Sequence, residues 1–324
     1  MTMLTIRENT PLLPPPGAPL TRCNPHPTPT PTPALTTTVP REYVHRSSLA
    51  EVFLTGCHRT GEHTFHLTGQ WPRAHTFFTT PDHTHHDPLQ AGETIRQTGL
   101  YLCHAHYHVP LTHNVLLHTL DFTTHPHHMH IGTTPTDLHI TAHCTDTTQK
   151  GNRFSGTLHT TIHRNNHPIA TGTARFTCIP PTTYQRLRTP HHTTPHPPLP
   201  RLTPIPPHTA GRHHPHDVVL APTNHPHHWQ LNPDLNHPIL FEHTNDHHPG
   251  MVLIEAARQA AHALHHPTNP TYTPTTLTTQ FHQYAELHTP CHITATTPTP
   301  HHTHITAHQN NNPIFTTTLT HTTP

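Results

Sequence analysis

The feature that most restricts this chain is a repeat inside it. Glu93-x-x-Arg96-Gln97 recurs, without a gap, 162 positions downstream as Glu255-x-x-Arg258-Gln259. The whole 324-residue chain holds only 16 acidic side chains and 16 Lys plus Arg, so a match among charged residues carries information. The same shift also aligns His75 with His237, His85 with His247 and His86 with His248, but among 48 His those matches count for little. Each copy of the charged motif falls in a stretch that reads as helix, 89–106 and 250–264. A chain built this way is an internal duplication, and its fold is expected to be two copies of one plan.

Proline marks the boundaries of the copies. Residues 189–211 hold eight prolines, a density that helices and central strands do not tolerate, and residues 25–33 alternate Pro with Thr and His. The chain divides into a Pro/Thr-rich arm (1–41), a first body (42–188), a Pro-rich linker (189–211) and a second body (212–324). Behind the first helix, 115–122, 138–147, 154–164 and 168–178 read as strands; behind the second, 277–287, 291–297, 303–309 and 313–319 do. Threonine is β-branched and suits them. The expected class is α+β, one helix and several strands per body.

The histidines suggest a metal store, and counting removes that suggestion. Scattered at random, 48 His give roughly seven pairs at any one short spacing. The chain has eight His-x-His pairs and eight adjacent pairs. Its six Cys form no Cys-x-x-Cys, so no metal site is expected. The unpatterned Cys fit a reducing compartment, and no basic-then-apolar leader opens the chain, so a cytoplasmic protein is expected. No apolar run is long enough for a membrane span. The formal net charge is zero, and partial protonation of His makes the surface only diffusely cationic, which gives no case for nucleic acid.

Positions i and i+3 share a helix face, so Glu255 and Arg258 project together, with Gln259 one turn from Glu255. A solvated ion pair is the ordinary reading of such spacing. Here the neighbours are Met251, Val252, Leu253, Ile254, Ala256, Ala257, Ala260 and Ala261. A helix apolar nearly all round is buried, and a charge pair inside it is costly unless paired or functional. The segment Asp246-His-His-Pro-Gly250 ahead of the helix leaves free N–H groups and a positive dipole end, suited to a thioester oxygen or a phosphate.

Pro249-Gly-Met-Val-Leu-Ile-Glu-Ala-Ala-Arg-Gln259 resembles the central helix of hotdog-fold proteins of acyl-carrier chemistry, and its Pro-Gly-x-x-x-x-Glu core is similar to that of hydroxyacyl-ACP dehydratases. The fuller resemblance is to the A-factor biosynthesis (AfsA-type) family, with two hotdog domains per chain. It includes Val44-His-Arg46, Gln70-Trp-Pro-Arg73, Asp87-Pro88, Ala174-Arg-Phe-Thr-Cys178, Asp217-Val-Val-Leu220, His237-Pro238, Asp246-His247, Tyr284-Ala-Glu286 and Pro290-Cys291. His248 stands where the family usually has an aliphatic residue.

The resemblance implies a tandem double hotdog, each a curved antiparallel sheet around one helix, packed as a pseudo-dimer, whether the chain is a monomer or a homodimer. It implies an acyltransferase that moves a β-ketoacyl group from acyl carrier protein to the hydroxyl of dihydroxyacetone phosphate. That ester leads to γ-butyrolactone signals that control secondary metabolism. The acyl group arrives on the carrier's phosphopantetheine, and no further cofactor is expected. Family positions fall on Glu93, Glu255 and Arg258. The chemistry then assigns Glu255 as base, with Glu93 its counterpart, and His247 as a second acid/base. Arg258 or the paired Arg96 would anchor the phosphate, with Gln259 beside them, and the helix start at Gly250 would hold the thioester oxygen. Cys103 reads as a small buried hydrophobe rather than a nucleophile. Two other readings stay open: a hotdog dehydratase or thioesterase, and a non-catalytic lactone-binding regulator.

Overall fold

Both expected helices form, and the strands around them join edge to edge into one 12-stranded antiparallel sheet. The computed structural model describes residues 35–192, 197–242 and 245–321. In the first half, β1 (Leu54–Arg59) and β2 (Thr64–Trp71) precede α1 (Pro88–Ala105). β3 (Asn114–Thr124), β4 (Thr136–Lys150), β5 (Arg153–Arg164) and β6 (His167–Ile179) follow it. A helix missing from the sequence reading, α2 (Pro181–His192), leads to the second half. There β7 (Leu220–Pro222), β8 (His228–Leu231) and β9 (His247–His248) precede α3 (Gly250–His265). β10 (Thr276–Phe281), β11 (Ala285–Glu286), β12 (His292–Thr299), β13 (His302–Gln309) and β14 (Asn312–Thr320) complete it.

The sheet order is β1-β2-β4-β5-β6-β3-β10-β14-β13-β12-β8-β7, so the halves meet at β3 and β10, where Phe122 faces Leu277 and Thr119 faces Gln280. One face of each half wraps its helix and the other faces solvent. In β13 the inward residues are Thr303, Ile305, Ala307 and Gln309, while His302, His304, Thr306 and His308 alternate outward. That alternation gives the His- and Thr-rich composition a structural place on the outer face of an antiparallel sheet. α1 lies close on its sheet: a Cβ on Gly92 would stand 2.9 Å from the Phe122 ring, and the buried Trp71 donates its indole N–H to Thr94 Oγ1 at 2.9 Å. The arrangement is the expected double hotdog.

The duplication runs further than the ungapped repeat. Over residues 46–53 the offset is 166 instead of 162, relating Arg46 to Arg212, Glu51 to Asp217 and Phe53 to Val219. Gln97 Oε1 accepts from Phe53 N at 2.9 Å while its Nε2 donates to Glu51 O at 2.8 Å. Gln259 repeats both bonds, with Val219 N at 2.9 Å and Asp217 O at 2.8 Å. Each glutamine therefore stitches its helix to the segment that leads into the first strand of the same half, a backbone-satisfying role.

Two boundaries differ from expectation. The arm 1–41 lies largely outside the described residues, but Val39 is buried and donates its N–H to Leu54 O, so 37–41 belong to the folded body. The linker 189–211 begins inside α2, and 193–196 lie outside the described residues. From 197 it straps the second half, with Leu199 N bonded to Leu287 O and Ile205 N to Leu220 O, both at 3.0 Å. Proline removes donors, but the non-proline residues between suffice for such edge contacts. Among the described residues, no helix is long and apolar enough to cross a membrane.

Candidate active site

The repeated carboxylates sit at the centres of two closed ion clusters. Glu93 is fully buried and accepts from Arg96 Nε and Nη2, both at 2.8 Å, and from Arg46 at 2.7 Å. Arg46 continues to Ile239 O and to Glu242, each at 3.0 Å. Glu255 is equally buried and accepts from Arg258 at 2.9 and 2.8 Å and from Arg212 at 2.8 and 2.7 Å. Arg212 continues to Phe77 O and, at 3.4 Å, to Asp87. Burial alone would raise both glutamates, yet the paired guanidiniums overcome it and hold each at about 2.

Both clusters cross between the halves. They also speak against the expectation that Glu255 is the base. A carboxylate whose oxygens are filled by two guanidiniums, and which ionises near 2, has neither the access nor the basicity to take an alcohol proton at neutral pH.

A cavity of about 800 Å³ lies elsewhere, between α1, α2 and the start of α3. Its wall includes Arg46, Arg96, His247, Gly250 and Tyr284, while Glu93, Glu255, Arg258 and Gln259 do not line it. The sequence-assigned residues thus separate into two groups. Arg96 keeps 23% of its side chain exposed and commits Nε and Nη2 to Glu93, leaving Nη1 without a partner among the described residues. Arg258, 6% exposed, holds Glu255 and Ala210 O through Nε and Nη2 and does not line the cavity, so of the two expected phosphate anchors Arg96 is the one that reaches it.

At the other side of the cavity His247 Nδ1 lies 2.5 Å from Asp246 Oδ1. A carboxylate can only accept, so Nδ1 carries the proton, and in the neutral ring Nε2 presents its lone pair. Among the described residues Nε2 has no partner, and a quarter of the side chain is exposed. Asp246 is itself anchored: Tyr184 Oη donates to it at 2.7 and 2.9 Å and Arg188 Nε at 3.0 Å. Burial would raise its pKa, but these bonds and the Arg188 charge hold the carboxyl well below the usual range. Arg188 is 1% exposed and also pairs with Glu286 at 2.5 and 2.8 Å.

The sequence reading missed Arg188 because it placed the domain end there. The signal was present in Tyr184-x-x-x-Arg188, polar residues one helical turn apart just ahead of the prolines.

The start of α3 is open. Its N-cap is Pro249, which offers no side-chain bond, and the first intrahelical bond runs from Val252 N to Pro249 O, leaving the N–H groups of Gly250 and Met251 available. A Cβ on Gly250 would stand 3.1 Å from the Phe281 ring, so glycine permits the close approach. Tyr284 Oη is buried without a partner among the described residues, and burial pushes its pKa up to about 12, so it stays a protonated donor. His248 is held neutral, its pKa lowered by burial to about 4.

The equivalent start of α1 is closed. Asp87 Oδ1 caps Leu89 N at 2.9 Å, and Arg212 holds the same carboxylate. His85, the counterpart of His247, turns Nδ1 to Thr84 Oγ1 at 2.7 Å. The two halves share a fold and differ at the site.

Among the described residues one group has metal-ligand composition: His216, Asp217 and His237, their donor atoms within 4.8 Å of one another. His237 Nδ1 accepts from Ile239 N and Leu240 N at 3.2 and 3.0 Å, so the proton is on Nε2, which donates to Asp217 at 3.0 Å. Binding a metal through Nε2 would require either an imidazolate or a proton on Nδ1, where the two backbone N–H groups already point. The pair is a structural clasp, repeated by His75, whose Nδ1 accepts from Phe77 N and Phe78 N and whose Nε2 faces Glu51.

The profile of the A-factor biosynthesis hotdog domain matches residues 28–180 and again 193–323. A protein of Streptomyces virginiae named 2-oxo-3-(phosphooxy)propyl 3-oxoalkanoate synthase is 44% identical over 289 residues, 87% of this chain and 96% of that protein. Proteins with the same name from Streptomyces coelicolor and Streptomyces griseus are each 35% identical, covering 87% and 86% of this chain and 90% and 93% of their own lengths.

Proposed function

The chain belongs to the A-factor biosynthesis hotdog family, and from that premise we propose that it is a 2-oxo-3-(phosphooxy)propyl 3-oxoalkanoate synthase. It transfers a β-ketoacyl group from acyl carrier protein to the hydroxyl of dihydroxyacetone phosphate, making the precursor of a γ-butyrolactone-type signal. Sequence kinship carries the reaction. One observation carries the site: a single cavity holds a carboxylate-oriented imidazole, an uncapped helix start and a guanidinium whose Nη1 has no partner among the described residues.

In this reading Arg96 binds the phosphate and so brings the substrate hydroxyl toward His247. Nε2 of His247 takes the hydroxyl proton as the oxygen attacks the thioester carbon. Asp246 holds the required tautomer and stabilises the imidazolium. Negative charge that develops on the thioester oxygen meets the N–H groups of Gly250 and Met251 at the positive end of α3. Collapse of the tetrahedral species breaks the C–S bond, and the imidazolium returns its proton to the departing pantetheine thiolate. Ester and carrier thiol leave at unchanged oxidation state.

The test is to incubate β-ketoacyl carrier protein with and without dihydroxyacetone phosphate and follow products by mass. The phosphorylated ester is expected only when the alcohol is present. Free β-keto acid formed equally in both reactions would make the protein a thioesterase, and loss of water from a β-hydroxyacyl carrier would make it a dehydratase.

A further inference from the structure

Gly99 lies in the interior of α1, where glycine is the poorest helix former after proline. Other glycines at this helix are demanded by contact. A Cβ on Gly92 would come 2.9 Å from Phe122, and one on Gly172 would come 2.4 Å from Ile95. Gly99 is under no such demand, because a Cβ there would meet Leu158 at 3.5 Å and Phe176 at 3.9 Å, ordinary contact distances. The position 162 residues on is Ala261, which α3 buries in its core. Gly99 instead lines the cavity, one turn beyond Arg96, in an apolar stretch with Leu100, Cys103, Leu117, Ala174 and Phe176.

We propose that Gly99 sets the length of acyl chain this protein accepts, the chain running along α1 from the charged end of the cavity toward Cys103. The inference rests on the acyl-transfer reading and deepens it. Seven residues from Arg96 to Cys103 span about 10 Å of helix axis. An extended alkyl chain advances roughly 1.3 Å per carbon, from C–C bonds of about 1.5 Å at tetrahedral angles. The stretch therefore holds a chain of about eight carbons beyond the charged end. Gly99 lies about 4.5 Å along it, so a side chain there would block all but the first three or four.

The experiment compares wild type, Gly99→Ala and Gly99→Leu on β-ketoacyl thioesters of six to twelve carbons, reading both kcat/KM for transfer to dihydroxyacetone phosphate and direct thioester binding. Gly99→Leu is expected to lose about tenfold or more on the ten- and twelve-carbon chains while keeping the six-carbon rate within a few fold. Gly99→Ala, a favourable helix substitution, should shift the optimum the same way by less. A length profile unchanged in both variants, or a loss equal at every length in Gly99→Ala, overturns the proposal. Binding whose length preference shortens in Gly99→Leu while no ester forms in any variant would uphold it and sink the acyltransferase reading alone.

Discussion

Arg46 and Arg212 occupy equivalent places in the two halves and reach across the boundary in opposite directions, Arg46 to the carbonyl of Ile239 and Arg212 to the carbonyl of Phe77. Those two acceptors are themselves related by the 162-residue repeat. Each arginine brings a second guanidinium to a carboxylate already paired within its own helix. The most conspicuous residues of the sequence therefore fasten the pseudo-dimer, and the cavity they were expected to form lies beside one of the fasteners.

Breaking a buried cluster from one side leaves uncompensated charge, which typically costs about 3–5 kcal/mol. Glu255→Gln and Arg212→Ala are each expected to lower the urea midpoint by a corresponding amount, while the protein that remains folded keeps kcat within a few fold. Unfolding curves and turnover on the same samples check this. Wild-type stability with turnover lost in Glu255→Gln would restore Glu255 as the base.

The sequence carried the helices and most strands because period and repeat were both strong, and it carried Arg96, His247 and Gly250 into the cavity wall. It gave Glu255 a role that the buried geometry argues against, for a physical reason: burial and pairing push a carboxylate's pKa in opposite directions, and only the structure shows two guanidiniums instead of one. Arg46 was seen only as part of a motif and Arg212 not at all, because the offset changes from 162 to 166 ahead of His75, which an ungapped shift cannot follow. Asp246 was seen as part of a motif, but its orienting bond to His247 depends on α2, a helix hidden where prolines implied a linker.

Acid should destabilise the fold in two steps. His86, His248 and His262 are buried, and burial lowers each to about 4 from 6.5, so the unfolded chain binds more protons than the folded one between those values. Their contribution is complete above about 6.5 and fades as pH falls toward 4. Glu93 and Glu255, depressed from 4.5 to about 2, contribute stability that is complete above 4.5 and lost as pH falls toward 2, on the order of a few kcal/mol each. Urea midpoints measured from pH 8 to pH 3 should therefore start to decline near 6.5 and fall further below 4.5. A midpoint constant down to pH 4.5 would contradict the neutral, buried state of the three histidines.

Arg96 and Arg258 are repeat partners with opposite expected phenotypes. Arg96→Lys keeps the charge but loses the fork that pairs with Glu93 and presents Nη1 to the cavity, so KM for dihydroxyacetone phosphate should rise about tenfold or more. Arg258→Lys should leave that KM unchanged and instead lower stability, since Arg258 lies outside the cavity wall and its Nε and Nη2 hold Glu255 and Ala210 O. Steady-state kinetics with varied alcohol, beside unfolding curves for both variants, separate the roles. Equal rises in KM would place Arg258 at the substrate after all.

His247 and His85 test whether the halves share the chemistry. His247 has a carboxylate on Nδ1, an Nε2 without a partner among the described residues, and an uncapped helix start beside it. His85 has a threonine hydroxyl on Nδ1 and, beside it, a helix start already capped by Asp87. A base within reach of the alcohol contributes about 10²–10⁴-fold, so His247→Ala should lower kcat by that factor with little change in stability, the side chain being partly exposed. Asp246→Asn should also lower kcat, because an amide NH₂ turned toward Nδ1 would favour the tautomer that protonates Nε2. KM for dihydroxyacetone phosphate should hold in both, since Arg96 binds the phosphate. His85→Ala should leave kcat within a few fold. A comparable fall in His85→Ala would show that both halves turn over, and the capped start of α1 would then have to open during the reaction.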